Sequence, residues 1–263
     1  VEGNVVKLAG RTGEDLPTDT NVLIENLANA PLPSTGQTLA LHEVALQAPV
    51  PNPGKVICVG RNYADHAAEM GSEVKDLPII FNKFPESITG PDATIALPAI
   101  SEAVDFEAEL VVVIGKAGRK IPRQSALAHV FGFCCGNDIS ARDWQKAKPG
   151  GQWLLGKTFD SFAPIGPWIV TRDEIDPENL EISLQLNGQE MQRDNTSRMV
   201  FKIDYLISHL SQFCTLRPGD LLFTGTPAGV GAGRTPPVFL KPGDETVVEI
   251  SGIGQLRNSF ASE

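Results

Sequence analysis

The stretch Val104–Gly115 constrains the fold more than any other part of the chain. It begins as strict alternation, with Val104, Phe106, Ala108 and Leu110 on one side and Asp105, Glu107 and Glu109 on the other. A strand turns successive side chains to opposite faces. From Val111 to Ile114 every residue is apolar, the pattern of a strand covered on both faces. The expected fold therefore has a doubly covered strand at its centre. Glu107 and Glu109 point the same way at its entrance, their Cα atoms about 6–7 Å apart. Buried carboxylates need a cation or hydrogen-bond donors. No Lys or Arg adjoins them in sequence, so a bound metal is one reading. A strand end emerging into solvent is the other.

The turn residues say what surrounds that strand. Twenty prolines and 25 glycines in 263 residues imply many turns between short strands, hence a β-rich α+β fold. Residues 1–52 are polar and broken by Pro17, Pro31, Pro33 and the Pro49–Pro53 cluster, which reads as a small N-terminal segment with a Pro-rich linker. The main domain, 53–263, opens with the apolar strand Lys55–Gly60. Asn187-Gly188 between alternating segments signals a hairpin. Asp204–Phe213 has the spacing of an amphipathic helix, with Leu206, Ile207, Leu210 and Phe213 on its core face and His209 toward solvent.

Charge and cysteine usage limit the partners and the compartment. A net charge of −10 argues against nucleic acid and anionic membranes, and no apolar run reaches 18 residues. Val1-Glu2-Gly3-Asn4 lacks the basic and apolar regions of a signal peptide. Cys58, Cys134, Cys135 and Cys214 show no metal or redox spacing and read as buried free thiols in a reducing compartment. The expectation is cytoplasmic, with the mitochondrial matrix as the alternative if a presequence has been removed.

Chemistry-bearing residues recur at the ends of predicted strands. Asn62 suits a helix N-cap and Gly71 a helix stop. Between them His66 and Glu69, at i,i+3, share a face, and a carboxylate beside an imidazole makes a general base. A surface His–Glu contact is the competing reading. Asp138 ends an apolar strand, with Ser140 and Asp143 marking a helix start and Arg142 and Gln145 one turn apart. Asp138 is either a turn-forming Asp or a third carboxylate converging on Glu107 and Glu109. Three oxygen ligands suit Mg2+, Mn2+ or Ca2+ better than zinc. Lys157 lies alone in an apolar run, so it either meets an anion or extends its head to the surface. The Gly-rich loop 224–231 lacks the Gly-Lys-Ser/Thr of a phosphate-binding loop, but the amide of Gly225 and the hydroxyl of Thr226 suit a small carboxylate.

The ordered motifs Gly60–Glu69, Phe106–Leu110, Asn137–Gln145, Gly156–Asp160 and Thr224–Gly231 together resemble the fumarylacetoacetate hydrolase family over roughly residues 53–260. Trp153–Asp160, Ser211–Phe213 and Pro236–Lys241 are similar to its domain-containing protein 2 branch. The resemblance implies a mixed β-roll or barrel-like catalytic domain, a homodimer, and Mg2+ or Mn2+ held by Glu107, Glu109 and Asp138, with Ca2+ as a substitute. It also implies a small 2-oxo acid as substrate, with Lys157 beside the site. In that setting His66, Glu69 and Lys157 are the candidate catalytic groups, and Arg142, Gln145, Gly225 and Thr226 the candidate substrate contacts. Keto–enol tautomerisation of oxaloacetate is the expected reaction. The alternatives are C–C hydrolysis of acylpyruvates or oxaloacetate decarboxylation, and, from another class, a non-catalytic metal-stabilised binding protein.

Overall fold

The computed structural model describes residues 5–9, 19–27, 34–147 and 151–263. Pro17, Pro31, Pro33 and the chain start Val1–Asn4, read above as part of the N-terminal segment, lie outside them. Near the N-terminus Val5–Ala9 (β1) pairs antiparallel with Ser34–Ala40 (β2), and helix Thr20–Leu27 (α1) lies between them in sequence. Next come Val56–Gly60 (β3), helix Ala64–Glu69 (α2), Ile79–Lys83 (β4), Ile88–Thr89 (β5) and Thr94–Leu97 (β6). The acidic stretch supplies Val104–Asp105 (β7) and Ala108–Ile114 (β8), followed by Val130–Asn137 (β9) and Ser140–Ala141 (β10). After the one-turn helix Leu154–Lys157 (α3) come Ala163–Thr171 (β11), Glu181–Leu186 (β12) and Gln189–Asn195 (β13). Helix Ile203–Phe213 (α4) leads to Leu221–Phe223 (β14), Glu245–Ile250 (β15) and Gly254–Ser262 (β16).

These strands build a seven-stranded mixed sheet, β4-β3-β14-β8-β9-β11-β5, and a five-stranded sheet, β13-β12-β15-β16-β6. The sheets pack through β11 on β16, β9 on β15 and β16, and β8 on β12. The β-rich α+β expectation thus holds as a curled two-sheet arrangement. The periodicity of β8 explains its composition. Leu110, Val112 and Ile114 enter the core between the sheets, with Phe106, Ile182 and Leu184. Val111 and Val113 enter a second cluster on the opposite face, where Ile24 of α1 and Val50 cover them. Both faces are dry, so a polar side chain at 111–114 would be left without partners.

Turn chemistry held where the local signal was strong. Asn187 and Gly188 both take positive φ in the β12–β13 hairpin, as a two-residue type I′ connection requires. Elsewhere the sequence reading needs correction. Val104–Ile114 is not one strand, because Phe106 and Glu107 interrupt it: β7 pairs with β10, whereas β8 pairs with β9 and β14. Asn62 does not cap α2, which starts after Tyr63. Its buried amide donates to the Phe201 and Thr224 carbonyls instead. Ser140 lies in a strand rather than at a helix start. Phe213 is exposed, and the half-buried His209 stacks on Tyr205 and meets Phe213 edge-on. No helix among the described residues is long and apolar enough to cross a membrane.

Candidate active site

Register places the candidate residues on one rim. In the order β3-β14-β8-β9, β3 runs parallel to β14, while β14 and β9 run antiparallel to β8. The carboxyl ends of β3, β14 and β9 therefore meet the amino end of β8. Such rims, where strands give way to loops, are where rigid scaffolds present chemistry. Here β3 delivers Arg61 and α2, β8 delivers Glu109 with Glu107 just before it, Asp138 follows β9, and Gly225 and Thr226 follow β14.

The interruption at Phe106–Glu107 is what turns the acids together. The Asn137 side chain accepts from the Glu107 amide at 2.9 Å, and the Glu107 carbonyl accepts from the Asp138 amide at 2.9 Å. The two segments thereby interlock. Glu107, Glu109 and Asp138 are all buried, and each offers a carboxylate oxygen within 4.8 Å of the others. Neither a solvent-exposed strand end nor a simple turn Asp describes them.

Three buried cations are threaded through the acids. Lys157, at the end of α3, is 1% exposed and donates to Glu107 Oε2 and Asp138 Oδ2, both at 2.7 Å. Its head does not reach the surface. Lys83 donates to the other oxygen of Asp138. Arg142 donates to Asp105 Oδ2 (2.8 Å), Glu107 Oε1 (2.7 Å) and Gln145 Oε1 (3.0 Å). Burial by itself raises the pKa of Glu107, but the Arg142 and Lys157 charges outweigh it and hold the group well below the usual carboxylate range. Burial lowers the pKa of Lys157, yet Asp138 and Glu107 outweigh that and keep it raised.

Glu109 differs. Among the described residues it has no cation within ion-pair distance, and its carboxylate accepts one hydrogen bond, from the Gly225 amide at 2.7 Å. Burial, followed by the Asp138 and Glu107 charges, pushes its pKa up. Four buried carboxylates (Asp105, Glu107, Glu109, Asp138) thus face three buried cations (Lys83, Arg142, Lys157). The surplus negative charge and the all-oxygen donor set of Glu107, Glu109 and Asp138 fit a hard divalent cation.

His66 and Glu69 meet as the i,i+3 spacing predicts. His66 Nδ1 lies 3.3 Å from Glu69 Oε2, and His66 is 5% exposed, so this is no surface contact. The Gly-rich loop reaches the same cleft through Thr226. Its amides hold the protein's own carboxylates: Gly225 donates to Glu109, Gly229 to Glu69, and Gly231 and Ala232 to Asp105. The Thr226 hydroxyl accepts from the Gln192 side chain at 2.8 Å. Gly229 needs its φ of +106°, and a Cβ there would lie 2.1 Å from the Met191 carbonyl oxygen.

Lys83, Asp105 and Gln192 were not picked out from the sequence. Lys83 ends the alternating strand Ile79–Lys83 and looks like a solvated strand end. Asp105 shares the acidic face of Glu107 and Glu109, a signal that was present. Gln192, 1% exposed, accepts from the Ala108 amide and donates to Thr226 and Pro227, and nothing local marks it. Val59, Met70, Phe81 and Trp153 complete the walls of the cleft. The cleft encloses about 390 Å³ of space continuous with solvent at its mouth.

The description Fumarylacetoacetate (FAA) hydrolase C-terminal matches residues 55–261. The chain is 55% identical over 221 residues to "Oxaloacetate tautomerase FAHD2A, mitochondrial" of Bos taurus, covering 84% of this chain and 70% of that protein. Its fold is similar to that of 5-carboxymethyl-2-hydroxymuconate delta-isomerase from Mycobacterium smegmatis, with TM-score 0.78, 41% identity, and 88% and 87% of the two chains covered. It is also similar to fumarylacetoacetate hydrolase from Exiguobacterium antarcticum, with TM-score 0.81, 37% identity, and coverage of 93% and 88%. The buried acids, the His66–Glu69 pair and the loop that pins them lie within the matched span, and the chain belongs to the fumarylacetoacetate hydrolase family.

Proposed function

We propose that this protein interconverts the keto and enol forms of oxaloacetate, using a divalent ion held by Glu107, Glu109 and Asp138. The observation that carries the reading is the uncompensated Glu109 carboxylate among buried acids, with Lys157 and the His66–Glu69 pair on the same cleft. The name of the Bos taurus relative supplies the reaction, which the geometry alone does not distinguish from its neighbours. Mg2+ is the expected ion, Mn2+ the alternative and Ca2+ a substitute. Bound there, such an ion supplies Lewis acidity toward a 2-oxo group.

The side chains carry the rest. Arg142, fixed by Asp105, Glu107 and Gln145, presents a preorganised positive charge to the substrate's 2-oxo acid end. Lys157 stabilises negative charge developing on the C2 oxygen as C3 loses its proton. His66, oriented by Glu69, takes the C3 proton and delivers it to the C2 oxygen to give the enol, and the same transfer runs backwards toward the keto form. The Gly229 amide holds Glu69 and so fixes the imidazole. Dry walls strengthen each of these interactions.

Enol oxaloacetate mixed with protein and Mg2+ should lose its ultraviolet absorbance faster than in buffer, without pyruvate release. Decay at the buffer rate refutes the tautomerase reading. A second reading has its own observation: the intact His66–Glu69 pair, its imidazole buried, also suits activation of a water for C–C hydrolysis. Pyruvate released from an acylpyruvate would favour that hydrolysis, and stoichiometric pyruvate from oxaloacetate would favour decarboxylation. A non-catalytic binding protein would leave all activity unchanged in His66→Ala and Lys157→Ala. Domain-wise, we assign 53–263 as the catalytic unit and 1–52 as its appendage. The relatives named mitochondrial support the mitochondrial alternative over the cytoplasmic expectation.

A further inference from the structure

The cleft has a cationic mouth that the reading above does not use. Arg61 follows the last residue of β3 and adopts φ +59°, a left-handed conformation that a long side chain adopts only when its surroundings impose it. They do so here. Gly60 ends the β3 ladder against Ile79, and Asn62 is bound to Phe201 and Thr224. Tyr63 bridges to Met199. The chain thus reverses within one residue, and the Arg61 guanidinium lies over the Trp153 ring, 5.7 Å from its centroid.

Arg61 and Lys146 both line the same cleft as His66, Glu107, Glu109, Arg142 and Lys157. Among the described residues neither makes an ion pair with a carboxylate, in contrast to Arg142, Lys157 and Lys83, which are all paired. Burial, and then the charges of Arg142 and Arg61, lower the pKa of Lys146, so these cations repel one another across the mouth. Arg61, half-buried, and Lys146, exposed, thus put two unpaired positive groups on one cleft and leave a place for an anion. The walls between mouth and acids are short and apolar, formed by Val59, Met70, Phe81 and Trp153.

We propose that Arg61, with Lys146, binds the carboxylate at the far end of the substrate and so selects short 2-oxo dicarboxylic acids over 2-oxo acids with an uncharged tail. The inference rests on the tautomerase reading. One end of the molecule meets Arg142 and the acid-held ion, C2 and C3 lie along the apolar wall, and the distal carboxylate reaches Arg61 at the mouth. Arg61 is thus a specificity residue, separate from the proton-transfer groups. The Arg61 guanidinium lies over the Trp153 ring, and its planar fork of N–H donors suits a two-pronged contact with a carboxylate.

The test compares oxaloacetate with its 4-ethyl ester, which keeps the 2-oxo acid and the exchangeable C3 proton and loses only the distal charge. Enol decay is followed for wild type, Arg61→Gln, Arg61→Lys and Lys146→Gln with Mg2+. A charged hydrogen bond lost from a half-buried site is worth about 10-fold or more. In Arg61→Gln the ratio of kcat/KM for oxaloacetate to that for the ester should therefore fall at least about 10-fold, mainly through KM. Arg61→Lys should recover part of the ratio, and Lys146→Gln should lower it by less. A ratio in Arg61→Gln equal to that of wild type overturns the inference while leaving the tautomerase reading standing. So does a parallel loss on both substrates. If wild type accelerates neither substrate, the tautomerase reading fails and this inference fails with it.

Discussion

Replacing Glu109 by Gln removes one negative charge while keeping the side chain's length and an oxygen for the Gly225 amide. The Asp138 and Glu107 carboxylate oxygens lie within 4.8 Å of it. At an effective dielectric near 20, each such like-charge pair repels by roughly 3.5 kcal/mol. Lys157 offsets part of this, so a net gain of about 1–3 kcal/mol is expected for the variant in metal-free buffer, or about 2–12 °C in Tm. The sign of the pH dependence follows. Because the folded-state pKa of Glu109 is raised above its ordinary 4.5, the native state binds more protons than the unfolded state between those two values. Stability carried by this group is therefore full below pH 4.5 and lost as pH rises toward the folded pKa, by at most about 1.4 kcal/mol per pH unit. Glu109→Gln lacks that slope, so its advantage over wild type should be absent at pH 4 and grow above it. Saturating Mg2+ should reverse the order, since an ion at 100 times its Kd adds about 2.7 kcal/mol to wild type and little to the variant. The assay is thermal melting in EDTA and in Mg2+ across pH 4–8. A variant that melts below wild type in EDTA at neutral pH would show that the Glu109 charge is compensated, and the argument for a cation at this site would fail.

Other substitutions test the same framework from different sides. Lys157→Met strips the shared cation from Glu107 and Asp138 and should lower stability by about 3–5 kcal/mol in urea titrations, with turnover lost. Arg123→Met breaks the exposed pair with Asp204 and should change stability by at most about 1 kcal/mol; equal effects of the two would refute the burial argument. Gly229→Ala forces a Cβ against the Met191 carbonyl and strains a positive φ, so it should destabilise by about 1–3 kcal/mol and lower kcat by loosening Glu69. Chelation of purified wild type should lower Tm and abolish enol decay, both restored by Mg2+ and visible in paired melting and absorbance assays.

How much of this was legible depended on how far each signal travels along the chain. The doubly covered strand was legible because the change from alternating to continuous apolar residues at Val111 is local. So was the His66–Glu69 pair, since i,i+3 spacing on one helical turn fixes its own geometry. The break at Phe106–Glu107 was not, because it arises from a change of pairing partner, β10 for β7 and β9 with β14 for β8. Asn62 carried a valid capping signal, but its amide is drawn to Phe201 and Thr224, far away in sequence. Lys83 ends a strand in a way that usually means a solvated lysine, and only the position of Asp138 makes it an internal cation.

The sequence by itself determined which groups exist, their local periodicity, and the doubly buried strand that carries Glu109. Those follow from covalent spacing and the exclusion of apolar side chains from water, both readable from neighbours. The tertiary structure alone decided which charges meet. Glu107 is paired with residues 35 and 50 positions away, and Asp138 with residues 55 and 19 positions away. Coulomb interactions act through space rather than along the chain, so the fold neutralises some acids and leaves Glu109 for an ion.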